Sequence, residues 1–212
     1  MSASLHLEVL GTEALEALRA HARVADAEGF YLAGGTALAL QLGHRRSEDF
    51  DWFRSRTFDA LALAQELVAR GVPFESRSTA RGTLHGAVLA TRVSFLEFRY
   101  ALLDPPLDSG LGFHLAGPRD IGAMKLSAVA QRGARKDFFD LVALGGAGLD
   151  LRTLLAAYQE RFGVRDPGHV LTSLTYFDDA ERDTEPILGA RDDDWPSVKA
   201  VLRGWVRELA GA

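Results

Sequence analysis

The stretch Phe30-Tyr31-Leu32-Ala33-Gly34-Gly35-Thr36, followed by Arg45-Arg46-Ser47-Glu48-Asp49-Phe50-Asp51-Trp52-Phe53, decides how this chain is read. Phe30 to Ala33 is a short apolar run that predicts a buried strand ending at a glycine pair. Thr36 to Leu42, made mostly of Ala and Leu, predicts a helix stopped by Gly43. A strand, a glycine turn and a helix in this order present backbone N–H groups and a helix N-terminus to an anion. Gly34 and Gly35 permit backbone conformations closed to other residues and let a phosphate approach the main chain, and Thr36 adds a hydroxyl.

Asp49 and Asp51 lie on the next predicted strand, Asp49 to Phe53. Residues i and i+2 of a strand share a face and are about 6.6 Å apart. Two carboxylates so placed repel unless a cation or basic group lies between them. Hard divalent cations prefer oxygen ligands of this kind, and such a site can clamp the oxygens of a phosphoryl or nucleotidyl transfer. Taken alone, an Asp-x-Asp is more often a solvated strand edge or a turn with two surface aspartates, and a Gly-Gly-Thr is equally a structural turn. The combination is what carries specificity.

Outward from this centre, Thr12 to Glu28 has helical spacing, with Leu15, Leu18, Ala22 and Ala25 on one face and Thr12 as a candidate cap. Phe58 to Arg70 predicts an amphipathic helix. Phe74 to Ser78, Gly82 to Ala90 and Thr91 to Tyr100 predict strands. Asp104-Pro105-Pro106 reads as a linker. Pro118 to Gln131 and Arg135 to Leu144 predict consecutive helices, the second stopped by Gly145-Gly146. Asp150 to Phe162, His169 to Tyr176 and Pro196 to Leu209 predict further helices. A mixed α/β half therefore precedes an all-helical half.

Leu32-Ala33-Gly34-Gly35-Thr36 with Arg45-Arg46-Ser47-Glu48-Asp49-Phe50-Asp51 resembles the first motif of the nucleotidyltransferase (polymerase β-like) superfamily. More narrowly it is similar to the AbiEii/AbiGii toxin family, whose first motif runs from the glycine turn to Arg-x-Ser/Thr-x-Asp-hydrophobic-Asp. A second stretch, from Asp120 through Lys125, Arg132, Arg135 and Lys136 to Asp137-Phe-Phe-Asp140-Leu, resembles that family's later motif. The resemblance implies an α+β fold: a nucleotidyltransferase-type mixed sheet with flanking helices, then a C-terminal helical region. It implies a catalytic core over residues 1–103, a linker over 104–117 and a helical region over 118–212 that completes the active site.

The same resemblance implies that Asp49 and Asp51 hold Mg²⁺ or Mn²⁺ and that Gly34, Gly35 and Thr36 hold the terminal phosphates of an NTP. Arg45 and Ser47 belong to the nucleotide site, with Arg45 either touching phosphate or neutralising the aspartates. Lys125 reaches the triphosphate, and Asp137 orients Lys125 or assists the acceptor hydroxyl. Many members of the wider superfamily carry a third carboxylate on a later strand. Glu97, alternating with Val93 and Phe95, is the candidate here. The bland readings are a solvated helix face for Lys125 and surface ion pairs among Arg135, Lys136, Asp137 and Asp140.

The expected activity is transfer of a nucleoside monophosphate from an NTP to an acceptor such as tRNA or another RNA, in the toxin half of a toxin–antitoxin or abortive-infection pair with an antitoxin protein as partner. The alternatives are a catalytically weak nucleotide-binding module and a small-molecule, antibiotic-type nucleotidyltransferase. Net charge is −5, which argues against coating a long nucleic acid, yet segments 44–56 and 119–136 are locally basic while 178–194 is acidic. The acidic run Asp192-Asp193-Asp194-Trp195-Pro196 reads as a helix entry rather than a second metal site. The chain has no cysteine, so disulfides and thiolate ligation are excluded. The six histidines show no metal-ligand spacing. No run approaches the roughly 18 apolar residues of a membrane span, and the N-terminus lacks the basic-then-apolar pattern of a leader, so a cytoplasmic protein is expected.

Overall fold

The computed structural model describes residues 4–184, 186–187, 189 and 194–211. It divides into two compact units: one of residues up to Ala101 with Pro105–Ala116, the other of Leu102–Asp104 with the chain from Gly117 onward. Of the acidic segment 178–194, Glu185, Asp192 and Asp193 lie outside the described residues. Among the described residues no single helix is long and apolar enough to cross a membrane.

The first unit is built on a seven-stranded sheet. Its strands are β1 (Tyr31–Ala33), β2 (Phe50–Arg54), β3 (Phe74–Ala80), β4 (Thr83–Val88), β5 (Thr91–Glu97), β6 (Leu107–Asp108) and β7 (His114–Leu115). They are ordered β3-β4-β5-β2-β1-β7-β6. Pairing is mixed: β2 runs antiparallel to β1 and parallel to β5. The segment expected to be a linker, 104–117, contributes β6 and β7, which pair with each other and extend the sheet beyond β1. Strands of two residues carry too little periodicity to be recognised in a sequence.

One face of the sheet is apolar. Phe50 and Trp52, Val93 and Phe95, and Leu84 and Val88 lie on this face of their strands, and all are buried. Helix α1 (Thr12–Ala27) covers this face through Ala14, Ala17, Leu18, His21, Ala22 and Ala25. Leu15, expected on that stripe, is only half-buried. Gly11 rather than Thr12 holds the cap position, and its lack of a side chain leaves the start of α1 uncapped. Helix α3 (Ala60–Ala69) begins two residues later than the periodicity suggests, because the Asp59 carboxylate accepts from Leu61 N and Ala62 N. It packs against β3 and β4.

His21 sits at the centre of this core. Trp52 Nε1 donates to His21 Nε2 at 2.8 Å, so the ring proton must lie on Nδ1, which donates to the Ala17 carbonyl at 2.5 Å. The ring also meets Phe50 and Trp52 edge-on. Burial pushes the imidazole pKa down to about 4, against the opposing pull of the Ala17 carbonyl.

The second unit is helical: α4 (Pro118–Gln131), α5 (Arg135–Gly146), α6 (Leu151–Phe162), α7 (Gly168–Ser173), α8 (Asp178–Arg182) and α9 (Asp194–Ala210). Pro118 occupies the first turn of α4, where its missing N–H costs nothing. Gly145, expected to stop α5, lies inside the helix, and a Cβ there would meet the Trp205 ring at 2.3 Å. Its smallness lets α9 approach. Gly122 does the same for Leu154 of α6, whose Cδ2 would lie 2.4 Å from a Cβ at that position. The fully buried Asp120 carboxylate pairs with Arg161 and accepts from Leu103 N at 2.9 Å and Asp104 N at 3.3 Å, binding that segment to α4.

Because the unfolded chain takes up the His21 proton near pH 6.5 and the fold does not until about pH 4, stability is full above the first value. It should fall by about 3 kcal/mol between the two and then level off. Urea melts of wild type and His21→Phe across pH 4–7.5 check this, the variant being expected to lose that part of the slope.

Candidate active site

The turn between β1 and helix α2 (Gly34–Leu42) is where the quoted motif folds. The helix starts at Gly34, two residues earlier than the sequence pattern suggests. Gly34 has φ +71°, in the left-handed region that glycine enters without penalty. Ala33 is the register partner of Asp51. A Cβ on Gly34 would lie 3.2 Å from Asp51 Oδ2, so the carboxylate lies against the bare glycine. The first turn of α2 has no side-chain cap, and its N–H groups leave positive partial charge beside Asp51.

Asp49 is tied to the same turn by its main chain. Thr36 is 2% exposed, and its hydroxyl donates to the Asp49 carbonyl and lies 2.7 Å from Ser47 Oγ. The Thr36 side chain is therefore engaged inside the motif, and the groups the turn offers to a ligand are main-chain amides. Asp49, expected on the strand, lies just before β2. It and Asp51 flank the buried Phe50, Asp51 on the opposite, polar face of the sheet, where Arg92 of β5 grips Asp49 through Nε at 3.2 Å and through Nη2. The Asp49–Arg92 pair is exposed, its side chains 41% and 64% accessible. Arg45 is buried, with Nη1 donating to the Arg46 carbonyl at 3.0 Å.

Glu97 does not join this pair. Its register partner is Arg54, and its strand alternation puts it with Phe95 and Trp52, on the face away from Asp51. It is paired with Arg99 at 2.7 Å, and that hydrogen bond, before any other influence, holds its pKa below the usual carboxylate range. The residue facing Asp51 on β5 is Ser94. Among the described residues no group of three His, Cys, Asp or Glu is arranged to hold a metal. Two carboxylates are nonetheless the donor set with which Mg²⁺ is commonly held, substrate phosphates and waters completing the shell. Asp49 and Asp51 fit that role, and Glu97 does not.

In the helical unit, Lys125 of α4 is 6% exposed and its Nζ lies 2.7 Å from Asp137 Oδ1 and 2.6 Å from Asp140 Oδ2, both carboxylates being fully buried. Burial alone would lower the lysine pKa, but Asp140 and Asp137 outweigh it and raise it. Burial works the opposite way on Asp137, and Lys125 and Arg132 overcome it to hold that carboxyl low. Asp137 thus orients Lys125, and Asp140 is an equal partner rather than a surface ion pair. Arg132 donates to Asp137 Oδ2 at 2.9 Å from Nε and to Oδ1 at 3.2 Å from Nη2 while remaining 59% exposed. Arg92 and Ser94 stand outside both sequence motifs, and Arg132, part of the second motif, has no role assigned by the sequence. The polar alternation Arg92-x-Ser94 against Val93-x-Phe95 was the available signal for the first two.

The comparisons with known proteins bear on the family and the fold. The family model described as nucleotidyl transferase AbiEii toxin, Type IV TA system, matches residues 16–101 and 86–203. The chain belongs to the AbiEii nucleotidyltransferase family. An uncharacterized protein of Aquifex aeolicus (strain VF5) is 34% identical over 206 residues, covering 94% of this chain and 97% of its own. The crystal structure of a proposed nucleotidyltransferase from H. pylori superposes with a TM-score of 0.54 at 17% identity, over 93% of this chain and 95% of that one. The Megavirus polyadenylate synthase aligns over 62% of this chain and 31% of its own, with a TM-score of 0.43 and 14% identity. The mixed sheet with flanking helices is a nucleotidyltransferase fold, and nucleotidyl transfer is the activity that membership of this family assigns.

Two substitutions probe the architecture directly. Gly34→Ala adds left-handed strain of about 1–2 kcal/mol and presses on Asp51, so thermal melts should show the destabilisation while nucleotidyl transfer falls further than the melt explains. Lys125→Met takes the lysine from buried Asp140 and leaves buried Asp137 with Arg132, and should cost about 3–5 kcal/mol by chemical denaturation.

Proposed function

We propose that this AbiEii-family enzyme uses Mg²⁺ or Mn²⁺ to transfer a nucleoside monophosphate from an NTP to an RNA hydroxyl, with a tRNA end as the acceptor. It acts as the toxin of a toxin–antitoxin or abortive-infection pair, its antitoxin being a protein. The observation that carries the reading is the placing of Asp51 against Gly34 at the N-terminus of α2, with Asp49 held to the same turn through Thr36.

The uncapped amides of α2 bind and orient the terminal phosphates, for which a helix N-terminus is suited. Asp49 and Asp51 hold the divalent cation, which when bound polarises the reacting phosphate and neutralises its charge. The acceptor oxygen forms a bond to the α-phosphorus, the α–β bridging oxygen departs with pyrophosphate, and the hydroxyl proton is released. Arg92 offsets the charge of Asp49, and both side chains are solvent-accessible. The exposed basic residues of β3 and β5, Arg77 and Arg92, suit an anionic acceptor better than a polycationic drug.

Incubation with each labelled NTP, Mg²⁺ and total tRNA tests the reading. Wild type should label RNA with one NTP preferred. Asp49→Ala and Asp51→Ala should each lose at least about a hundredfold, since metal assistance is worth several kcal/mol. Label transfer undiminished in both variants would rule the mechanism out.

A further inference from the structure

The polar face of the sheet continues past the two carboxylates. Strand register places Ser94 opposite Asp51, His85 opposite Ser94 and Ser78 opposite His85, a single row across β2, β5, β4 and β3. With neighbouring strands about 4.8 Å apart, the row extends about 14 Å from Asp51. His85 Nδ1 lies 3.0 Å from Ser94 Oγ, which fixes the imidazole and leaves Nε2 for a ligand. His85 and Ser78 are exposed, and Ser94 is half-buried.

The pairing of β3 is interrupted at this row. Ser76 stands opposite Gly86 and Ser78 opposite His85, so Arg77 is an extra residue and two residues of β3 face one of β4. Such bulges re-aim a side chain and are frequent beside active sites. The register around the bulge is tightly set, since a Cβ on Gly86 would meet the Phe74 ring at 2.4 Å and the Glu75 carbonyl oxygen at 2.5 Å. A charged, bulged edge strand also discourages edge-to-edge association, and that alone would account for Arg77. It does not account for an exposed histidine on an inner strand, oriented by a serine directly beside Asp51.

We propose that Arg77, Ser78, His85 and Ser94 form an acceptor subsite that holds a backbone phosphate of the RNA close to its attacking hydroxyl. One guanidinium, one imidazole and two hydroxyls are the groups with which proteins bind and position phosphodiesters without reading sequence. The subsite lies across the sheet from the β1–α2 turn, so the acceptor enters from the β3 edge and the nucleotide from α2. This deepens the transfer reading above and rests on it for the identity of the acceptor.

The test measures binding of a fluorescent single-stranded RNA by anisotropy, apart from any transfer, with the terminal linkages either phosphodiester or neutral methylphosphonate. For wild type the methylphosphonate should weaken binding about tenfold, the worth of a charge-assisted contact. Arg77→Ala and His85→Ala should bind the natural RNA about tenfold more weakly and lose most of that sensitivity to the linkage. Arg77→Ala should also reduce the slope of log affinity against log salt by about 1, and Arg77→Lys should restore it. Circular dichroism melts confirm that the variants fold. Wild type that binds no RNA, or variants as sensitive to the linkage as wild type, would overturn the subsite. Normal linkage dependence in a wild type that transfers no label to any RNA would instead uphold the subsite and sink the transfer reading.

Discussion

The approach of the β1–α2 turn to β2 is the constraint from which the site follows. Gly34 adopts φ +71° and has no Cβ, and that space is taken by the Asp51 carboxylate. The negative charge therefore sits at the uncapped, partially positive start of α2, where a helix stabilises an anion. Asp49 is fixed by a different device, the buried Thr36 hydroxyl reaching its main-chain carbonyl. One aspartate is located by sterics and the other by a hydrogen bond, yet both are referred to the same three residues. In the proposed reaction, one turn would thus bring together a phosphate at the helix terminus and a cation at the carboxylates.

Alternation along β2 divides the labour between the faces of the sheet. Phe50 and Trp52 point into a core that α1 closes with an uncharged His21, whose burial and whose bond from Trp52 both require the neutral ring. Asp49 and Asp51 point the other way. Since a strand alternates with a period of two, burying the aromatic residues fixes the exposure of the acids, and packing energy holds the site's geometry.

The two ion-paired clusters differ in what they can exchange. Asp49 and Arg92 are solvent-accessible, so their attraction is screened and small. Lys125, Asp137 and Asp140 are enclosed, and separating them would expose uncompensated charge to a low-dielectric interior. The exposed pair suits a ligand-dependent rearrangement. The buried one suits a fixed scaffold, with Arg132 as its accessible cation.

The sequence alone determined the elements around the glycine turn, the α+β order and the pairing of Asp49 with Asp51, because each is encoded within a few residues by periodicity or by glycine's conformational range. It also marked Lys125 and Asp137 through a family motif. What the tertiary structure decided depends on residues far apart in the chain. Arg92 meets Asp49 across 43 positions, and the parallel register puts Ser94, not Glu97, beside Asp51. The alternation of Glu97 with Val93 and Phe95 was visible, but only pairing with β2 shows that this is the face opposite the acids. The short strands β6 and β7 likewise exist because β1 leaves an edge for them, a condition that local sequence does not carry.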